Sequence, residues 1–239
     1  MCGRYVSPDQ AAIERAWHIG RTNSNPFLRR YNVLPTTLVP IIQCVADVDE
    51  LELTQARWGL IPHWWKHAKA PTSTINARSE EAAGKPMWRD PYRNARCLIP
   101  ALGWYEWRTL ERTDPETGEV RTYKQPFYLR VDQDGPVAFA GLMSTWTSAG
   151  GEQHLTCAIL TRAPSKSAAE VHDRMPVVLR TDVQREWVDP ALRDAAAVAE
   201  IIRAGAIDDV KHHPVRTLVN KPGTEGPELI EPIASVSGG

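Results

Sequence analysis

Short apolar runs of strand length recur along this 239-residue chain, and they limit its fold more than any other feature. They fall at 38–45, 51–58, 96–100, 104–108, 123–131, 137–146, 155–161 and 176–180, with a last one at 214–219. Leu51 and Leu53 alternate with polar neighbours, the period of a strand with one face in a core. Asp114 to Glu119, with Pro115 and Gly118, reads as a polar hairpin-type insertion. Helical patterns are fewer. One follows Ser7-Pro8-Asp9 and ends near Gly20, and a short one starts near Ser79-Glu80-Glu81. Two more follow Thr181-Asp182 and Asp189-Pro190, the second ending at Gly205. Many short strands with a few peripheral helices predict an α+β fold: a single domain with a curved, barrel-like, mostly antiparallel β core. No internal repeat or interdomain linker interrupts it. The domain is expected over residues 1–232, with a polar linker at 22–25 and a loose tail at 233–239.

Composition narrows the function classes. No stretch approaches 18 uncharged apolar residues, and the first twenty residues carry Arg4, Asp9, Glu14 and Arg15. Neither a membrane span nor a signal segment is expected, and the chain reads as cytoplasmic. Cysteines at 2, 44, 97 and 157 have no C-x-x-C spacing, and the last three sit in apolar contexts as reduced core residues. His63-x-x-x-His67 lacks the glutamate of a metalloprotease helix, so no metal is predicted. Glycine motifs for phosphate or dinucleotide are missing, and no cofactor is expected. With a net charge of −1, a nucleic-acid partner would have to meet a local concentration of cations. Nine tryptophans are plentiful for 239 residues, and large aromatics serve both as core and as stacking platforms for bases.

Met1-Cys2-Gly3-Arg4 is chemically unusual. Initiator Met is normally removed before a small residue, which would leave Cys2 with a thiol and an α-amine on adjacent carbons. The reference pKa values, roughly 7.7–8.0 and about 8.5, make both groups partly nucleophilic near neutrality. Such a pair takes an aldehyde first as a Schiff base and then as a thiazolidine ring, the second step being intramolecular. Arg4 supplies a permanent cation nearby. The plain alternative is a small buried cysteine or a frayed terminus.

Three further stretches carry chemistry. Asn76 and Arg78, at i and i+2 in extended backbone, can address one site, the amide holding a hydroxyl or imine and the guanidinium a phosphate. Solvated turn residues would look the same. Glu106 lies among Trp104, Tyr105 and Trp107, where loss of water would raise its pKa into the range of a general acid/base, unless it points outward from a strand edge. His172 and Arg174 offer a proton shuttle and a second phosphate clamp, although a lone histidine is more often structural.

Taken in order, Met1-Cys2-Gly3-Arg4, Tyr31-Asn32-Val33-Leu34-Pro35, Trp58-Gly59-Leu60-Ile61-Pro62, Asn76-Ala77-Arg78, Cys97-Leu98-Ile99-Pro100 through Glu106-Trp107, and His172-Asp173-Arg174-Met175-Pro176 resemble the SOS-response-associated peptidase family of abasic-site processing proteins. The resemblance continues through Pro214-Val215 and Glu228-Leu229-Ile230 to about Pro232. It implies a basic groove for single-stranded DNA and capture of the abasic sugar aldehyde by Cys2 as a thiazolidine. Asn76 would orient the sugar, Glu106 would act as general acid/base, and His172 would assist ring opening and proton transfers. Arg4, Arg78 and Arg174 would bind phosphates. Pro35 and the Trp64-Trp65 loop would stack on bases and favour single strands or single-strand/double-strand junctions. The peptidase label would reflect release of Met1. A monomer, nucleoid-associated when bound to DNA, is expected. One departure stands out: Leu102 replaces an acidic residue in the turn Ala101-Leu102-Gly103, which puts that turn's hydrogen bonding in question.

Two other classes fit parts of the sequence. An N-terminal-nucleophile amidohydrolase of the glutamine amidotransferase type can also begin Met-Cys-Gly, but the Asn-Gly pair that commonly signals its oxyanion hole is missing. A non-covalent single-strand binding module would use only the tryptophans and arginines.

Overall fold

The structure, a computed structural model, describes residues 2–20, 26–45, 50–68, 70 and 73–233. From the N-terminus the chain forms β1 (Arg4–Ser7), α1 (Gln10–Trp17), β2 (Arg30–Val33), β3 (Leu38–Val45), β4 (Glu50–Trp58) and β5 (Asn76–Arg78). There follow α2 (Ser79–Ala82), α3 (Pro86–Asn94), β6 (Arg96–Ala101), β7 (Gly103–Thr113), β8 (Val120–Val131), β9 (Val137–Thr147) and β10 (Gln153–Arg162). The last part holds α4 (Lys166–Ala169), β11 (Met175–Pro176), β12 (Val178–Leu179), α5 (Thr181–Val188), α6 (Ala195–Gly205), β13 (Val210–Pro214) and two single-turn 3-10 helices.

Strands β13-β8-β7-β1-β2 make an antiparallel sheet of five. The others run β11-β10-β4-β3-β6-β9-β12, and a further pairing of β9 with β10 closes β10-β4-β3-β6-β9 into a ring. Parallel pairing occurs only where β10 meets β4 and β5, among the described residues. The expected barrel-like, mostly antiparallel α+β architecture is the one observed.

Alternation along the strands sorts side chains into three cores. Tyr5, Trp104, Phe127 and Leu129 of the first sheet meet Val39, Ile41, Trp58, Ile99, Phe139 and Ile159 of the ring. The opposite side of the ring, with Ile42, Leu98, Leu142 and Leu160, is covered by helical residues such as Ile13, Trp88, Trp187 and Ile201. On the outer side of the first sheet, Val6, Tyr105 and Tyr128 are covered by Val215, Val219 and Leu229 from the C-terminal segment.

Several local expectations shift. The first helix is capped by Asp9, whose Oδ1 accepts from the Ala12 N–H at 2.9 Å, and it stops at Trp17 because His18 takes the left-handed cap. Helix α3 goes unseen in the sequence because Pro86 and Pro91 read as breakers. Pro86 sits at its start, where no N–H is needed, and burial of Trp88 and Tyr92 at i, i+4 outweighs Pro91. The run 176–180 splits into β11 on β10 and β12 on β9, with the Val177 N–H donating to Leu160 and its carbonyl accepting from Ala140. The last strand lies earlier than expected, at Val210–Pro214 alongside Phe127–Val131, and Thr217–Asn220 is a 3-10 turn. The linker at 22–25 and residues 234–239 of the tail lie outside the described residues.

The turn between β6 and β7 forms without an acidic side chain. The Leu102 N–H donates to Val6 at 2.8 Å, and its carbonyl accepts from the Tyr128 hydroxyl at 3.0 Å. Gly103 is required by space, since a Cβ there would lie 2.5 Å from the Leu129 carbonyl oxygen and from the Tyr128 ring.

Candidate functional site

Four side chains from distant parts of the chain converge where β1, β5, β7 and the segment before β11 meet. Cys2 precedes β1, which pairs with β7 in the register Arg4 with Tyr105 and Tyr5 with Trp104. That register brings Cys2 close to Glu106, one residue beyond Tyr105. β5 lies parallel to β10, with Asn76 opposite Ile159, and its side chain turns toward the terminus. Asn76 Nδ2 donates to the Cys2 carbonyl at 2.8 Å. Asn76 Oδ1 is buried and has no hydrogen-bond partner among the described residues, so it remains an acceptor for an incoming group.

Glu106 is the electrostatic centre. Inward alternation along β7 places it with Trp104, and only 2% of its surface reaches solvent. Burial pushes its pKa from 4.5 up to about 7, and the nearby Asp173 carboxylate adds to the rise. Its Oε2 lies 3.7 Å from His172 Nε2. His172 is shifted the other way: burial lowers its pKa below 6.5, Lys124 contributes in the same direction, and Asp173 opposes. A carboxyl rising and an imidazole falling toward each other are suited to trade a proton near neutrality. Cys2 is fully buried, and burial first and Glu106 second push its thiol well above 9.0. The thiol is therefore protonated and needs a neighbouring base.

The three arginines have different surroundings. Arg78 ends β5 beside Asn76, its side chain is 55% exposed, and it has a 3.4 Å contact with Glu81. Arg174 follows His172 but its Nη1 and Nη2 grip the Glu80 carboxylate, with Nη2–Oε2 at 2.9 Å, and Nη2 also donates to the Thr161 carbonyl at 2.7 Å. A phosphate at Arg174 would compete with Glu80. Arg4 departs furthest from expectation. It lies across from Tyr105 on the outer side of the sheet, 5.8 Å over the Trp107 ring. Its guanidinium donates to Asn32 Oδ1 and to the carbonyls of Val219 and Asn220, so it ties down the C-terminal segment. Among the three, Arg4 has the least support as a phosphate ligand.

The stacking candidates occupy two loops joined at their base. Half-buried Pro35 sits in the β2–β3 turn beside Thr36, whose φ of 68° is left-handed and whose N–H donates to the Trp58 carbonyl at 2.7 Å. Trp58 opens the segment that carries Trp64 and Trp65. Trp64 is 48% exposed and packs edge-on against Trp65, while the Trp65 carbonyl accepts from Trp146 Nε1 at 2.6 Å. His63 and His67 turn to different neighbours, Asp90 and the Trp65 ring. Among the described residues no group of three His, Cys, Asp or Glu side chains is placed to hold a metal, and no helix is long and apolar enough to cross a membrane. Sequence reading gave no role to Asp173, Lys124 or Glu80. Asp173, between the two singled-out residues His172 and Arg174, is the only one that carried a local signal.

Comparison with known proteins bears on the whole chain. The profile of the family described as SOS response associated peptidase (SRAP) matches residues 1–222. The chain is 37% identical over 201 residues to the abasic site processing protein YoqW of Bacillus subtilis (strain 168), covering 84% of this chain and 85% of that one. It is 33% identical over 207 residues to the abasic site processing protein YedK of Escherichia coli (strain K12), covering 85% of each. A solved structure from Bacteroides thetaiotaomicron superimposes with a TM-score of 0.76 at 24% identity, over 98% of this chain and 100% of that one, a likeness of fold.

Proposed function

The chain belongs to the SOS response associated peptidase family, and from that membership we propose that it senses abasic sites in single-stranded DNA and captures their sugar aldehyde through Cys2 after losing Met1. The observation that carries this reading is the convergence of Cys2, Asn76, Glu106 and His172, with a carboxyl held at about 7 beside a buried thiol. Met1 leaves by hydrolysis of the Met1–Cys2 peptide bond, one water being consumed, and the new α-amine lies on Cys2.

Capture then runs in balanced steps. His172 relays a proton as the sugar hemiacetal opens to its aldehyde. The Cys2 amine adds to the carbonyl carbon and passes one proton to its oxygen, and protonated Glu106 donates to the departing hydroxyl, so that water leaves and a protonated imine forms. The carboxylate thus generated takes the thiol proton, which restores the acid, and sulfur adds to the imine carbon as the C=N electron pair returns to the protonated nitrogen. An aldehyde and an aminothiol have become a thiazolidine and one water, with no redox change. Asn76 fixes the Cys2 backbone through Nδ2 and offers Oδ1 as acceptor to a sugar hydroxyl or to the N–H of the protonated imine. An abasic nucleotide has no base to unstack, which lowers the cost of bringing its sugar to a recessed thiol. Exposed Arg78 is the best placed phosphate ligand. Arg174, held on Glu80 by both terminal nitrogens, is the weaker candidate. Trp64, Trp65 and Pro35 supply stacking that favours single strands and junctions.

Intact-mass spectrometry with and without an abasic oligonucleotide tests this. Loss of Met1 and a covalent adduct surviving denaturation are expected, both dependent on Cys2. An adduct of undiminished yield with Cys2→Ala, or Cys2-dependent ammonia release from glutamine without any adduct, would overturn the reading.

A further inference from the structure

Glu80 has no part in the chemistry above, yet it connects the two halves of the site. It stands in α2, which continues β5 directly after Arg78, so Asn76 and Glu80 ride on one short unit. Asn76 faces Cys2, while Glu80 grips Arg174 through both terminal nitrogens. The Arg174 side chain is only 12% exposed and is also anchored to the Thr161 carbonyl. A two-pronged pair on a recessed guanidinium is planar and directional, so it fixes the backbone that carries it.

That backbone matters to His172. The Arg174 N–H lies 3.1 Å from His172 Nδ1 and donates to it when that nitrogen is bare. Asp173 Oδ1 competes for the same nitrogen at 2.9 Å. One neutral tautomer cannot serve both, because Nδ1 accepts from the amide only without a hydrogen and donates to the carboxylate only with one. When the amide prevails, the hydrogen sits on Nε2, 3.7 Å from Glu106 Oε2. When Asp173 prevails, an Nε2 lone pair faces Glu106 instead.

We propose that Glu80 is a positioning residue: by holding Arg174 it keeps the Arg174 amide on His172 Nδ1 and selects the tautomer whose Nε2–H faces Glu106. Its importance for capture rests on the reading that Glu106 gives up its proton there, because an Nε2–H can donate to the carboxylate that remains. Without Glu80 the turn 172–174 loosens and Asp173 draws the hydrogen to Nδ1.

Long-range nitrogen–proton correlation spectra of the full chain at pH 8 read the tautomer with no DNA present. Wild type is expected in the Nε2–H form, and Glu80→Ala in a mixture with a comparable share of Nδ1–H. Adding Asp173→Ala to Glu80→Ala should restore Nε2–H, a recovery that a folding defect would not give. Adduct formation on abasic single-stranded DNA should slow about tenfold in Glu80→Ala and recover in the double variant, as expected when the Glu106 carboxylate loses and regains its hydrogen-bond donor. Nδ1–H in wild type, an unchanged tautomer in Glu80→Ala, or a shift that Asp173→Ala fails to reverse would each overturn the proposal. Absence of any Cys2-dependent adduct would sink the proposed function while leaving the tautomer result intact, so the two failures are separable.

Discussion

Glu106→Gln should make the chain more stable in alkaline solution, and the size of the gain follows from burial. In the folded chain the carboxyl is pushed up to about 7, against 4.5 as its ordinary value. Between those values the folded chain binds more protons at this group than the unfolded chain does. Stability is therefore lost as pH rises through the window. At ~1.36 kcal/mol per unit, the whole shift corresponds to about 3.4 kcal/mol, of which roughly 2.5 kcal/mol falls between pH 5 and pH 8. The group is only 2% exposed, so solvent screening takes little from this figure. Glutamine keeps the shape and cannot ionise. Urea unfolding of both proteins at pH 5 and pH 8, extrapolated linearly, isolates the pH-dependent part from any constant offset. The stability difference should move by about 2.5 kcal/mol in favour of Glu106→Gln. A change below ~0.5 kcal/mol would mean that Glu106 is not held in its protonated form and would remove the basis for its acid/base role. The same titration should appear in adduct formation as an inflection near pH 7 that Glu106→Gln abolishes.

Asn76→Ala removes the 2.8 Å bond to the Cys2 carbonyl and should slow adduct formation on the order of tenfold with DNA affinity retained; equal rates in single-turnover assays would show that the terminus needs no such support. Arg78→Ala should weaken binding to all single-stranded sequences alike and reduce the slope of log affinity against log salt by about 0.7, the loss of one phosphate contact. An unchanged slope removes Arg78 from the DNA interface. Arg96 is 3% exposed, and its guanidinium donates to the carbonyls of Trp187, Tyr92, Arg93, Asp189 and Leu192, joining β6 to α3 and α5. Arg96→Met should cost at least about 3 kcal/mol in urea unfolding because it strands those acceptors, and a loss under ~1 kcal/mol would show that water replaces them.

Local sequence carried much of the architecture. Strand-length apolar runs with turn residues between them predicted the barrel-like, mostly antiparallel core, because a two-residue period and the need to bury one face act within a few residues. Aromatic neighbours around Glu106 likewise announced loss of water, since alternation in β7 sends Trp104 and Glu106 inward together. Helix α3 escaped because its signal is the burial of Trp88 and Tyr92 against parts of the chain far away in sequence, which no local pattern around two prolines displays.

Cys2, Asn76, Glu106 and His172 were each visible as chemically capable, and nothing along the chain placed them within reach of one another. Pairing of β1 with β7 and of β5 with β10 did that. Tertiary structure also divided the arginines, which look alike as letters. Arg4 was turned to the outer side under the C-terminal segment, Arg174 was locked to Glu80, and Arg78 stayed exposed. Composition and spacing fix which groups exist and what each can do in water. The surroundings that shift a carboxyl to about 7 or occupy a guanidinium belong to residues 28 to 216 positions away, and those neighbours exist only once the sheets have closed.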